Sequence, residues 1–202
     1  LEKCLKIEGI YVPKFYDVKY KENGEIESFT PNHPDAPKTI KKVIVKDMDT
    51  AFYPDKQLVP LIETVHDRVT LEVFRGCIRG CRFCQAGYVY RPVREKSCDK
   101  LLGLADSLLK NSGHEEISLT SLSTGDYRSF SELANGLIDR YAKDSVSISL
   151  PSLRIDAFSL DLMEKVQAVR KSGLTFAPEA GTQRLRDVIN KGITEEEILN
   201  GW

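Results

Sequence analysis

The stretch Arg75-Gly76-Cys77-Ile78-Arg79-Gly80-Cys81-Arg82-Phe83-Cys84 restricts the fold and chemistry of this chain more than any other part of it. Its three cysteines have the spacing Cys-x3-Cys-x2-Cys. Three thiolates on one short loop can hold three irons of a 4Fe–4S cluster. The fourth iron then has no protein ligand and is open to a substrate or cofactor. That pattern points to chemistry rather than to a sealed electron carrier. Gly76 and Gly80 permit a tight loop and bring backbone N–H groups near sulfur.

Two other readings of the cysteines are weaker. A structural zinc wants four ligands in paired spacings, and the nearest fourth candidate, Cys98, opens an expected helix. A disulfide framework is disfavoured by the odd number of cysteines, five, and by the lack of a secretory signal. A reducing, cytoplasmic setting suits thiolate ligands and argues against bridges. Cys4 and Cys98 read as small apolar residues.

The motif resembles that of radical S-adenosylmethionine (radical SAM) enzymes, down to the aromatic Phe83 before the third cysteine. The resemblance implies that the open iron chelates the amino and carboxylate groups of S-adenosylmethionine and that Phe83 lies against the adenine. The wider context is similar to a group of bacterial radical SAM proteins that often follow a cobalamin-binding-type domain. It is carried by Gln85-Ala86-Gly87, Tyr90-Arg91-Pro92-Val93-Arg94, Pro151-Ser152-Leu153-Arg154 and Phe176-Ala177-Pro178-Glu179-Ala180-Gly181-Thr182.

The 202 residues and 41% hydrophobic content suit one domain with a small attachment. No apolar run approaches a membrane span, and the net charge of −1 gives no global sign of nucleic-acid binding. The chain starts at Leu1 and stops just past a helix-start signal, so it is expected to be a piece of a larger protein.

A division is expected near residue 65, with a small β-rich attachment at 1–65 and the core at 66–202. In the attachment, strands at 15–21 and 25–29 flank Asn23-Gly24, a type I′ hairpin signal, and 39–45 is a third expected strand. In the core, apolar strands at 69–74, 116–121, 145–150 and 174–177 alternate with helices. Ser97 is the expected N-cap of a helix that Gly113 ends. Ser129 with Glu132 spells a capping box, Ser159 starts a third helix that ends at Gly173, and Thr182 and Thr194 with Glu197 cap two more. Four β/α units in series imply an α/β fold with a parallel sheet and right-handed crossovers. The resemblance implies an incomplete (β/α) partial TIM barrel, normally of six units and here truncated on its C-terminal side.

Ligands in parallel α/β folds sit at the C-terminal strand ends. The cysteine loop follows the first core strand. Thr124-Gly125-Asp126, after the second, departs from the Gly-Gly-Glu-like stretch of related enzymes, yet Asp126 can still accept a hydrogen bond from an ammonium group; otherwise it simply starts a turn. Ser152 and Arg154, after the third strand, are candidates for the ribose and carboxylate of S-adenosylmethionine, since arginine offers a fork matched to a carboxylate. Glu179, after the fourth, looks like the Glu-Ser-Gly stretch of many radical SAM proteins; an ion pair with Arg154 would satisfy both without a ligand. Six basic residues against one acid between Arg75 and Lys96 either balance an anionic cluster or, at Arg91 and Arg94 beside Tyr88 and Tyr90, meet phosphates and bases. His66-Asp67 reads as structural.

The expected function is reductive cleavage of S-adenosylmethionine to a 5′-deoxyadenosyl radical, with the hard chemistry carried by the cofactor. The expected cofactors are the 4Fe–4S cluster and S-adenosylmethionine, with cobalamin supplied by a domain outside this chain. An electron donor such as flavodoxin or ferredoxin is expected, with no membrane partner. RNA or protein is a candidate substrate, by methyl transfer or methylthiolation. The rival from another class is a non-catalytic iron–sulfur protein with a regulatory or nucleic-acid-binding role.

Overall fold

The computed structural model describes residues 1–62, 64–150, 154–155, 160–169 and 176–200. The chain forms two compact units, Leu1–Lys46 and Asp47–Trp202, so the division lies earlier than residue 65. Residues beyond 46 join the second unit through specific bonds. Asp49 accepts from the N–H of Ser97, Asn111 donates to the carbonyl of Asp55, and the Tyr53 hydroxyl donates to the Thr70 carbonyl.

In the first unit, β1 (Tyr16–Tyr20) pairs antiparallel with β2 (Ile26–Pro31) around a small core of Val12, Phe15, Tyr16 and Ala36. The hairpin is present, but its turn is not type I′. That turn needs positive φ at both central residues, and only Gly24 has it, at +83°. Asn23 instead accepts the Glu25 N–H on its side-chain oxygen, and the Gly24 N–H closes a turn onto Lys21. This local side-chain bond competes with the left-handed backbone. The expected strand at 39–45 does not form: Ile40 packs on the small core, while Val43 and Val45 are exposed and in no ladder.

In the second unit, β3 (Val69–Glu72), β6 (Glu116–Thr120) and β7 (Ser147–Ser149) make a parallel sheet in the order β3-β6-β7. Period-two alternation gives the sheet two faces. Val69, Leu71, Ile117, Leu119 and Ile148 are buried with the apolar stripes of α2 (Cys98–Ser112) and α3 (Phe130–Tyr141). Thr70 and Thr120, on the opposite face, are exposed, and Arg68 spans that face to bond Glu116 at 2.8 Å. Burying Leu101, Leu108, Leu133 and Leu137 against the sheet contributes roughly 1.5–3 kcal/mol per side chain.

The caps test the local reading. Ser97 accepts from the Lys100 N–H, and Gly113 ends α2 in the left-handed region. Thr182 caps α5 (Gln183–Val188), and Thr194 and Glu197 exchange both bonds of a capping box at α6 (Glu195–Asn200). The Ser129 box does not form, because Ser129 has ψ +32° and makes no capping bond. An N-cap needs an extended backbone to aim its oxygen at the first turn. Helix α4 covers Leu160–Val169. Ser159, Gly173 and most of the expected strand at 174–177 lie outside the described residues, and Phe176 and Ala177 belong to no strand. Three β/α units are thus described, in an open α/β arrangement consistent with a partial barrel.

Candidate metal centre

The site is built where β3 ends. After a one-residue break the chain continues as β4 (Phe74–Arg75), which pairs antiparallel with β5 (Arg94–Glu95) and closes residues 76–93 into a stalked loop. The loop contains all three motif cysteines and the short helix α1 (Ala86–Val89). Gly76 leaves the stalk at φ +97°, where a Cβ would lie 2.7 Å from the Tyr90 carbonyl oxygen. Gly87 lies so close to the loop that its Cβ would be 2.4 Å from the Arg79 carbonyl oxygen.

Side chains hold this loop from several directions. The Arg91 guanidinium donates to the carbonyls of Cys77, Ile78 and Arg79 at 3.0–3.4 Å. Arg79 makes a two-pronged pair with Asp126 at 2.9 and 2.5 Å. Arg82 donates its N–H to the Ile189 carbonyl and its side chain to that of Val188, while Asn190 donates to the Gly80 carbonyl. Arg75 grips Glu72, and Arg94 bonds the Pro92 carbonyl. The basic residues near the cysteines are therefore engaged with the protein itself; for Arg91 this is a role that neither charge balance nor phosphate contact describes.

Lys96 is a further departure, being 1% exposed. Its ammonium bonds the Glu72 carbonyl at 2.6 Å and the Glu72 carboxylate at 3.3 Å, and lies 5.1 Å from the centre of the Tyr53 ring. Burial pushes its pKa down, and the attraction of Glu72 only partly restores it. Glu72 shows the reverse balance: burial raises its pKa, but Arg75 and Lys96 outweigh that and hold it below the ordinary carboxylate range.

Cys77, Cys81 and Cys84 are free thiols, half-buried, on this one loop. Among the described residues no three His, Cys, Asp or Glu side chains form the ligand set of a single metal ion. A tetrahedral zinc site requires such convergence. A cluster asks something different, since each thiolate binds its own iron. The donor set fits a cluster in number and kind, three thiols on one short loop. Cys98 is buried at the start of α2, and burial raises its pKa, the opposite of a ligating thiolate.

Of the other expected site residues, Phe83, Thr124, Gly125, Asp126, Arg154 and Glu179 are described. Phe83 is 56% exposed beside the third cysteine. Thr124 is fully buried, and its hydroxyl bonds that of Ser121 at 2.9 Å; Gly125 sits in the same short helical turn. Burial pushes the Asp126 carboxyl up, yet the bonds and charge of Arg79, with the charge of Arg154, bring it below its ordinary value. Asp126 is thus held as an anion. Arg154 bonds the Lys191 carbonyl at 2.9 Å, and Glu179 pairs with the Lys191 ammonium at 3.3 Å. Glu179 has φ +68°. Ser152 lies outside the described residues. A recess of about 460 Å³ opens between Ile78, Val93 and Asp126, in the size range of small-molecule sites. Lys96, Asn190 and Lys191 carry no local sequence signal, because their partners lie 24, 110 and 12 residues away.

The profile of the Radical SAM superfamily matches residues 71–202. The chain is 36% identical over 194 residues to an uncharacterised protein of Methanocaldococcus jannaschii, covering 96% of this chain and 38% of that protein. It is 21% identical over 140 residues to another protein of that organism, provisionally named a methylthiotransferase, covering 65% of this chain and 31% of the relative. The chain therefore spans well under half the length of these curated relatives. Among solved structures, the fold is like that of a radical S-adenosylmethionine methyltransferase from Kitasatospora setae, determined with tryptophan and a S-adenosylmethionine analogue. That likeness has a TM-score of 0.53 at 14% identity, over 66% of this chain and 27% of the other. With the superfamily profile spanning the cysteine loop, the parallel sheet and the helices on it, the chain belongs to the radical SAM superfamily.

Proposed function

We propose that this chain forms the cluster- and S-adenosylmethionine-binding part of a radical SAM enzyme. The observation that carries the reading is the stalked loop at the C-terminal end of the parallel sheet, with three half-buried free thiols at the superfamily spacing. Cys77, Cys81 and Cys84 would hold a 4Fe–4S cluster. Bound together, the cluster and S-adenosylmethionine would supply one-electron reductive cleavage of a carbon–sulfur bond and, through it, hydrogen abstraction from a substrate.

The chain's own residues bind and orient. Asp126, held anionic by Arg79, accepts the methionine ammonium on lone pairs that Arg79 leaves available. Thr124 and Gly125 shape that turn. Arg154 meets the carboxylate, Ser152 the ribose, and Phe83 the adenine face. Glu179 would hydrogen-bond the ligand. The relative named a methylthiotransferase supports a group-transfer reaction; RNA or protein is the substrate class proposed for it, with cobalamin, if used, held by a domain outside this chain. One-electron reduction calls for a donor such as flavodoxin or ferredoxin, in the cytoplasm. No helix among the described residues is long and apolar enough to cross a membrane.

The test is anaerobic reconstitution of the full-length protein. About four irons and four sulfides per chain are expected. Cys77→Ala, Cys81→Ala or Cys84→Ala should abolish the cluster, whereas Cys98→Ala should not. S-adenosylmethionine should perturb the electron paramagnetic resonance signal of the reduced cluster and yield 5′-deoxyadenosine under turnover. Stoichiometric zinc in an iron-free folded sample would overturn the reading. A cluster indifferent to S-adenosylmethionine would leave the non-catalytic iron–sulfur alternative.

A further inference from the structure

We propose that the turn at residues 188–191 is a positioning element that couples the cysteine loop to Arg154 and Glu179. This rests on the reading of those two residues as ligand contacts only for its functional meaning; the coupling is a property of the protein.

One side of the turn faces the cysteine loop. The carbonyls of Val188 and Ile189 accept from the side chain and N–H of Arg82, at 2.5 and 2.9 Å, and the Asn190 amide donates to the Gly80 carbonyl at 2.8 Å. Gly80 and Arg82 flank Cys81, so two bonds to the backbone, with a third from the Arg82 side chain, hold both sides of the central cysteine. The other side holds the two expected S-adenosylmethionine contacts. Arg154 donates to the Lys191 carbonyl at 2.9 Å, and the Lys191 ammonium meets Glu179 at 3.3 Å. Two adjacent residues, Asn190 and Lys191, thus link the two halves of the candidate site.

The turn is built to transmit rather than absorb displacement. The N–H groups of Ile189, Asn190 and Lys191 bond back to the carbonyls of Leu185, Asp187 and Arg186. Asn190 sits at φ +54°, a left-handed conformation that asparagine tolerates better than most residues. Beneath it Arg186, 2% exposed, donates to the carbonyls of Ile193 and Ala180 and to the Gln183 side chain at about 3 Å. A buried guanidinium with its donors so engaged costs too much to move alone, so the turn and α5 shift together. A change at Glu179 or Arg154 is then felt at Gly80 and Arg82 through the Lys191 and Asn190 bonds.

The test is a double-mutant cycle on the full-length reconstituted protein, since non-additivity reports coupling between sites. Asn190→Gly keeps the left-handed backbone and removes the amide; Asn190→Asp keeps the shape and replaces the donor. Each is combined with Glu179→Gln. Amide exchange at 77–84, iron loss to a chelator and the resonance signal of the reduced cluster are measured. Alone, Asn190→Gly and Glu179→Gln should each speed exchange and iron loss several-fold, about fivefold for one neutral hydrogen bond, and shift the resonance signal at unchanged initial iron content. In either Asn190 background, Glu179→Gln should add less at the loop than it does alone, since only the Arg82 bonds to Val188 and Ile189 then remain to transmit it. Additive effects, or a loop indifferent to Glu179→Gln while exchange in α2 stays normal, would overturn the coupling. If the cycle is non-additive but S-adenosylmethionine leaves the resonance signal unmoved, the coupling stands and the cofactor assignment fails.

Discussion

Lys96→Met isolates the buried ammonium beneath the loop while keeping most of its stem. The change removes two charge-assisted bonds to Glu72, at 2.6 and 3.3 Å, and the contact with the Tyr53 ring. Hydrogen bonds to charged groups contribute about 1.5–3 kcal/mol each. Two terms reduce the loss: Glu72 keeps Arg75, and the cost of burying the ammonium disappears. A net destabilisation of about 2 kcal/mol is expected, smaller than the 3–5 kcal/mol for breaking a buried pair whose partner is left alone. At roughly 2–4 °C per kcal/mol for a chain of this size, Tm should fall by about 6 °C in thermal unfolding followed by circular dichroism. The pH dependence gives a second check. The folded pKa of Lys96 lies below 10.5, so the unfolded chain binds more protons between the two values and stability rises with pH through that window. The Met variant should lose this alkaline rise. An unchanged or raised Tm would show that desolvation dominates and that the Glu72 bonds contribute nothing net.

Two further outcomes follow from the loop contacts. Arg79→Ala leaves Asp126, whose side chain is 9% exposed, without its guanidinium; about 2 kcal/mol should be lost, discounted from the fully buried case because Arg79 is partly solvated. Asp126 contributes stability above its unfolded pKa that is lost as pH falls through its depressed folded pKa, so the variant's acid-unfolding midpoint should move to higher pH; an unmoved midpoint would contradict the pairing. Gly87→Ala drives a methyl toward the Arg79 carbonyl and should cost about 1–3 kcal/mol as overpacking does, with lowered iron loading; full loading at parental stability would show that the loop has room to give.

What the sequence made legible was local. The cysteine spacing, the caps at Ser97, Thr182 and Thr194, and the alternation of β3 and β6 depend on neighbours within a few residues, and the structure has them. Ser129 failed although its box was spelled correctly, because a cap also needs the right ψ, which the preceding chain sets. The turn at Gly24 was right in place and wrong in type, since an Asn side chain can satisfy the backbone in more than one way. The fastening of the loop was not legible at all. Lys96 looked like one charge in a basic run, and its burial depends on Glu72 and Tyr53. Asn190 meets Gly80 across 110 residues, and no periodicity reports such a pairing.

That separation sets an order of events during synthesis. The β1–β2 hairpin needs only neighbouring residues and can close as soon as it is made. Strand β3 has no parallel partner until residues 117–120 exist, and contacts of long sequence separation form late. The cysteines wait longer. At about 5–20 residues per second, the chain that supplies Val188, Ile189 and Asn190 follows the motif by roughly 5–20 s. Throughout that interval the three thiols are on a loop lacking its bonds to residues 188–190, exposed to oxidation and to adventitious metals. Iron and sulfide delivered before residue 190 has been made would meet an unfastened loop, so cluster insertion is expected to favour the completed chain.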